Sequence, residues 1–139
     1  MKKTDLAYLA GIIDGEGCIT ITKTNTDRTL RYKLVIQVSM VDKVPPLLAH
    51  FAFGGYLRLR DRNPKWKALW EWQIKSGDAI ACLKDLLPYL RTKKAEAELA
   101  LRFWEEKSHI PFQRTKEQLV LEEANYILMK SLKAKEVTS

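Results

Sequence analysis

The sequence predicts an α+β fold in the order αββαββα, with further helix after that core, and three observations carry the prediction. Four segments, at about 18–24, 30–39, 56–60 and 68–75, alternate apolar and polar residues with the period of two that belongs to strands. The intervening segments repeat apolar residues at helical spacing. Each predicted strand has one apolar face and one polar or basic face, so helices are expected to cover one side of an antiparallel four-stranded sheet and leave the other wet.

The elements follow in order. Thr4 is a plausible N-cap, Asp5 suits a first helical turn, and Leu6, Leu9, Ala10 and Ile13 form one apolar stripe, which gives a helix at about 4–16. Gly15 and Gly17 end it. Ile19 and Ile21 alternate with Thr20, Thr22 and Thr24, and "NTDRT" at 25–29 reads as a turn. In the second strand of this hairpin Leu34, Ile36 and Val38 are the apolar face, with Arg31, Lys33 and Gln37 opposite. Asp42 is a candidate cap for a second helix that carries Pro45 and Pro46 in its first turn and stops at Gly54-Gly55. "YLRLR" points Leu57 and Leu59 inward and Arg58 and Arg60 outward. "ALWEWQIK" points Trp70, Trp72 and Ile74 one way and Glu71, Gln73 and Lys75 the other; of the four strands its parity is the least constrained by the pattern. Helices at about 78–90, 93–107 and 116–133 complete the chain, with a break at Pro111.

The 139 residues suit one domain, 1–139, with ample core material at 46% hydrophobic residues. Lys and Arg number 24 against 17 Asp and Glu, a net charge of +7, which favours a polyanionic partner. The wet face repeats this bias. It collects Thr20, Thr22, Thr24, Arg31, Lys33, Gln37, Arg58, Arg60, Gln73 and Lys75, with Glu71 as its single acid, and these are side chains that donate to phosphates and base edges. Cys18 and Cys82 lack CxxC spacing and read as reduced thiols of an intracellular protein. His50 and His109 build no local zinc site. "MKKTDLAYLAG" is not expected to be a signal peptide, and no apolar run is long enough for a membrane span.

One stretch defies helix electrostatics. Asp14 and Glu16 stand at the C-terminal end of the first helix, where the dipole disfavours carboxylates, and no lysine is near in sequence. A divalent cation is the expected compensation, because carboxylates and an exposed helix-end carbonyl offer the oxygen ligands that Mg²⁺ prefers. Gly11, costly inside a helix, lines up with Ala7 and Gly15 in a stripe without bulk, suited to close packing against a second helix backbone or within the same chain. Two copies of the helix joined along that stripe bring their acids together.

These residues carry a resemblance. Leu9-Ala10-Gly11-Ile12-Ile13-Asp14-Gly15-Glu16-Gly17 resembles the LAGLIDADG motif of homing endonucleases across nine positions, with conservative changes only. The αββαββα order is similar to that family's core, and "PYLRTKKAEAEL" at 88–99 looks like its stretch after the third core helix. The resemblance implies a saddle-like sheet, a double-stranded DNA partner and, because one motif is present, a homodimer. It implies site-specific double-strand cleavage of a long pseudo-palindromic target by metal-dependent phosphodiester hydrolysis, with Mg²⁺ as cofactor and Mn²⁺ as a substitute. Carried over by position, Glu16 is the metal-binding and catalytic acid, and the Gly15 carbonyl is a further metal ligand. Lys93 is the active-site lysine, with Lys94 as the neighbouring alternative. Ala7, Ala10, Gly11, Asp14 and Gly15 fall at the dimer interface. The sequence departs from the pattern at Met40-Val41-Asp42-Lys43-Val44, where homodimeric members carry Gln and Arg to organise water; Lys43 is a candidate substitute. The alternative reading is an intron maturase, or a DNA- or RNA-binding protein of the same fold without nuclease activity.

Overall fold

The computed structural model describes residues 1–26, 29–61, 63–107 and 115–138. Helix α1 (Lys3–Glu16) buries Leu9, Ala10 and Ile13 and carries Asp5 in its first turn. It passes directly into a strand at Gly17, whose N–H bonds to the Ile13 carbonyl. A Cβ at Gly17 would lie 2.8 Å from Ile13 Cα, so only glycine permits that turn.

Strands β1 (Gly17–Thr26) and β2 (Thr29–Met40) form an antiparallel pair running from Gly17↔Val38 to Thr26↔Thr29. The expected turn at 25–29 lies partly outside the described residues. Helix α2 (Val44–Phe53) follows a side-chain turn in which Asp42 Oδ1 accepts the Val44 N–H at 2.9 Å. It ends at Gly54 and Gly55, both at positive φ (77° and 88°), where a Cβ on Gly55 would meet the Gln73 carbonyl at 2.6 Å. Strands β3 (Tyr56–Arg60) and β4 (Leu69–Lys75) complete an antiparallel sheet of order β1-β2-β4-β3. The inward parity of Trp72 and Ile74 is as expected; both are buried, and the Trp72 indole N–H donates to the Gly54 carbonyl at 2.8 Å, tying the glycine turn to the sheet.

The helix expected at 78–90 is divided into α3 (Ser76–Leu86) and a 3₁₀ turn (Leu87–Tyr89). Pro88 has no N–H to continue the α-helical ladder, and the chain tightens there. Helix α4 (Lys94–Glu106) begins one residue later than expected, and α5 (Lys116–Thr138) runs several residues further. The break expected at Pro111 lies outside the described residues.

The core lies between the helices and one face of the sheet, with Leu9, Ile13, Ile19, Leu34, Ile36, Trp72, Leu83 and Phe103 almost fully buried. Helix α5 is fixed by polar contacts as well as apolar ones. Buried Asn125 bridges Glu106 and Arg102 of α4, at 2.8 and 3.2 Å. Glu123 takes a short hydrogen bond from the Tyr32 hydroxyl and pairs with Lys23 at 2.9 Å. These donors hold the Glu123 carboxyl below its ordinary pKa, whereas burial, reinforced by Glu123, pushes Tyr32 up. No helix among the described residues is long and apolar enough to cross a membrane.

Candidate active site and nucleic-acid interface

Residues paired across antiparallel strands share a face, so the register assembles the uncovered side of the sheet row by row. One row is Cys18, Gln37, Gln73 and Tyr56; the next is Ser39, Glu71 and Arg58. In the other direction lie Thr20, Val35 and Lys75, then Thr22 with Lys33, then Thr24 with Arg31. Every wet-face residue expected from the sequence is on this side. The face is organised rather than loose: Gln73 Nε2 donates to Gln37 Oε1 at 3.0 Å, Gln37 Nε2 to Ser39 Oγ at 3.2 Å, and Thr22 Oγ1 to the Lys33 carbonyl at 3.2 Å.

Glu71 departs from its expected role. It is only 6% exposed, and its Oε2 accepts from Arg58 Nε at 2.6 Å, so it supports a neighbour instead of facing a base itself. The hydrogen bond and charge of Glu71 push the Arg58 pKa up. Sequence reasoning passed over Ser39 and Tyr56, which the same parity would have found. Val35 was hidden for another reason: it lies on the wet face yet is buried, within the continuous apolar run Leu34-Val35-Ile36.

The end of α1 shows how the acidic pair is accommodated. Asp14 Oδ2 accepts the Arg91 N–H at 2.8 Å and Oδ1 the Lys93 N–H at 2.9 Å, immediately before α4, where a helix N-terminus favours negative charge. Lys93 Nζ returns a hydrogen bond to the Asp14 carbonyl at 2.8 Å, placing its cation at the negative end of α1. The compensating lysine absent from the local sequence is therefore supplied from the other end of the fold, and Asp14 is engaged within its own chain. This corrects the expectation that a cation balances both carboxylates. Glu16 differs: it is exposed and makes no hydrogen bond or ion pair among the described residues.

The Ile13 and Asp14 carbonyls are taken by Gly17 N–H and Lys93 Nζ, so the next orphan carbonyl of the helix end is that of Gly15. Glu16 and the Gly15 carbonyl are hard oxygen donors that fit Mg²⁺ chemically. They are too few in one chain, and the described residues contain no group of three or more metal-ligating side chains. A complete site needs donors from elsewhere.

Ala7, Gly11 and Gly15 lie exposed along α1, and a Cβ at Gly11 or Gly15 would meet nothing within 4 Å. Nothing among the described residues covers the two glycines. Ala10 does not belong with them: it is fully buried beside Leu9 and Ile13, because it sits on the core-facing stripe of the helix. Lys94 is exposed, whereas Lys93 is half-buried against α1. The Lys43 ammonium sits 5.0 Å above the Trp70 ring.

No family model matches the chain. The DNA endonuclease I-CvuI of Chlorella vulgaris is 30% identical over 101 residues, covering 69% of this chain and 61% of that protein, so the match spans less than two thirds of the relative. Its crystal structure with its target in the presence of 2 mM Ca aligns with a TM-score of 0.77 and 21% identity, over 93% of this chain and 82% of that one. The archaeal intron-encoded homing endonuclease I-Vdi141I, complexed with DNA, gives 0.77 at 11% identity, over 95% and 86%. The LAGLIDADG homing endonuclease I-GzeII, in complex with its DNA target, gives 0.64 at 16% identity, over 91% of this chain but 43% of that one. At these identities the solved structures establish the fold. With that fold, with the 30% identical relative and with Leu9–Gly17 at the end of α1, the chain is similar to the LAGLIDADG homing endonucleases, and its sequence carries one copy of their motif.

Proposed function

We propose that this chain is one half of a site-specific homing endonuclease, which as a homodimer makes double-strand breaks in a long pseudo-palindromic DNA target by Mg²⁺-dependent hydrolysis. The observation that carries the proposal is the exposed Glu16, unpartnered among the described residues, beside a stripe of Ala7, Gly11 and Gly15 that none of them covers. Two-fold packing of that stripe supplies the second acid that one chain lacks, and two strands to be cut call for two sets of groups. The DNA and cation in the I-CvuI crystals support the same substrate and cofactor class.

In this reading Glu16 and the Gly15 carbonyl hold Mg²⁺, with Mn²⁺ as a substitute. The bound metal supplies water activation and stabilisation of the leaving oxygen. Lys93, held at the end of α1, contributes a positive charge near the phosphate. The wet face lies along the major groove. The ten residues of β1, at about 3.3 Å each, span roughly as many base pairs at 3.4 Å per step, so the dimer covers about twenty base pairs. An intracellular setting belongs to the same proposal.

The test is incubation of the chain with a library of random duplexes, with Mg²⁺ or with EDTA, followed by sequencing of the new ends. Metal-dependent cuts on both strands of one pseudo-palindrome are expected. Enrichment of bound DNA with no cut in Mg²⁺ or Mn²⁺ would favour the non-nuclease reading.

A further inference from the structure

The single acid of the wet face occupies an unusual position. The side chain of Glu71 is 8% exposed and that of Arg58, its partner across β3 and β4, is 49% exposed. A carboxylate so far out of water is costly unless paired, which keeps it on Arg58. The pair runs through Arg58 Nε alone, at 2.6 Å. The two terminal nitrogens lie outside the bond to Glu71, and the Tyr56 side chain is a further hydrogen-bond partner of the guanidinium. The Tyr56 ring, 5.8 Å from the guanidinium carbon, restrains the same group from a second side. The result is a planar donor fork on an exposed face, anchored at its inner nitrogen.

That fork has a specific complement. Two parallel N–H donors match guanine O6 and N7 in the major groove, the commonest specific contact of arginine with DNA. Anchoring also lowers the rotamer entropy lost when the contact forms, because the side chain is ordered beforehand. We infer that Arg58 reads a guanine in each half-site and that Glu71 is its positioning residue, holding the guanidinium by Nε so that the terminal nitrogens meet O6 and N7. The inference rests on the proposal that the wet face is laid on DNA.

The alternatives make different demands. If Arg58 touches only phosphate, its loss weakens all sequences alike. If Glu71 only cancels charge, its removal strengthens binding to every sequence through one more effective cation. Selection of bound sequences from random duplexes at fixed salt, with the full chain as wild type, Arg58→Lys and Glu71→Gln, separates these cases. The wild type should enrich guanine at one symmetric position per half-site. Arg58→Lys keeps the charge but has no fork, and it should reduce the preference for that guanine by ~5- to ~150-fold while other positions keep theirs. Glu71→Gln should weaken the same position and no other. Should that variant fail to fold, Glu71→Asp, one methylene too short to reach Nε, should show the same selective loss.

Uniform loss of affinity in Arg58→Lys, or an unchanged guanine, overturns the inference while leaving DNA binding intact. Uniformly tighter binding by the Glu71 variants overturns the positioning role. A wild type that enriches no sequence removes the DNA-reading proposal and this inference together.

Discussion

Replacing Gly11 by leucine separates the two uses that a small-residue stripe can have. Within one chain the substitution meets open space, since no atom lies within 4 Å of the new Cβ. Glycine in an exposed helix interior is about 0.8–1 kcal/mol less favourable than alanine, and leucine is close to alanine. Gly11→Leu should therefore stabilise the isolated chain by about 0.8 kcal/mol. With an unfolding entropy of about 2.1 cal/mol/K per residue over 139 residues, that is a rise in Tm of about 3 °C. In a dimer packed along Ala7, Gly11 and Gly15 the same side chain stands where the partner backbone must approach. The assay is thermal melting at several protein concentrations. The wild-type Tm should climb with concentration, as mass action favours the associated form. The variant should lose that dependence while melting no lower than the dilute wild type. A variant that keeps the concentration dependence and sediments as a dimer refutes the stripe as the interface. One that melts far below the dilute wild type shows that α1 packs within its own chain after all.

Other expectations follow from the polar contacts. Lys93→Ala should slow cleavage far more than it weakens binding in single-turnover kinetics, whereas Lys94→Ala, at an exposed position, should change cleavage little. Asp14→Asn retains one acceptor but sets an amide against the Arg91 or Lys93 N–H; it should speed hydrogen exchange at those two amides and lower the cleavage rate, and unchanged exchange would remove Asp14 from the account. The pairing of Glu123 with Tyr32 and Lys23 holds a depressed carboxyl pKa, so its contribution is full above the ordinary 4.5 and falls away as pH drops through the lower folded value. Glu123→Gln should be less stable than wild type in denaturant titrations at pH 7, and the difference should shrink below pH 4.

The sheet was legible because its strands alternate with little ambiguity: Ile19 and Ile21 against the threonines, Leu34, Ile36 and Val38 against Arg31, Lys33 and Gln37; Leu59, expected inward, is instead half exposed, because β3 is an edge strand that the helices do not cover there. The glycines also spoke clearly. Gly17 and Gly55 stand where a Cβ would strike backbone, and each ends a helix as its position suggested. Long-range partners were not legible. Nothing near Asp14 in sequence announces that Lys93 will cap its helix, because the contact is made by the loop before α4 folding back on α1. Ala10 illustrates a subtler limit: it fits a small-residue pattern, yet the helical phase set by Leu9 and Ile13 turns it into the core. Glu71 reads as a surface acid by parity, and only the neighbouring Arg58 explains its burial.

Glu16, exposed at the end of α1 and without an ion pair among the described residues, is the acid proposed to hold the metal for DNA cleavage. The direct measurement is single-turnover cleavage and binding of the selected target by wild type and Glu16→Gln in Mg²⁺, a change that keeps size and removes charge. Glu16→Gln should bind within a few-fold of wild type and show no detectable cleavage of either strand. Cleavage by Glu16→Gln at the wild-type rate would contradict that role.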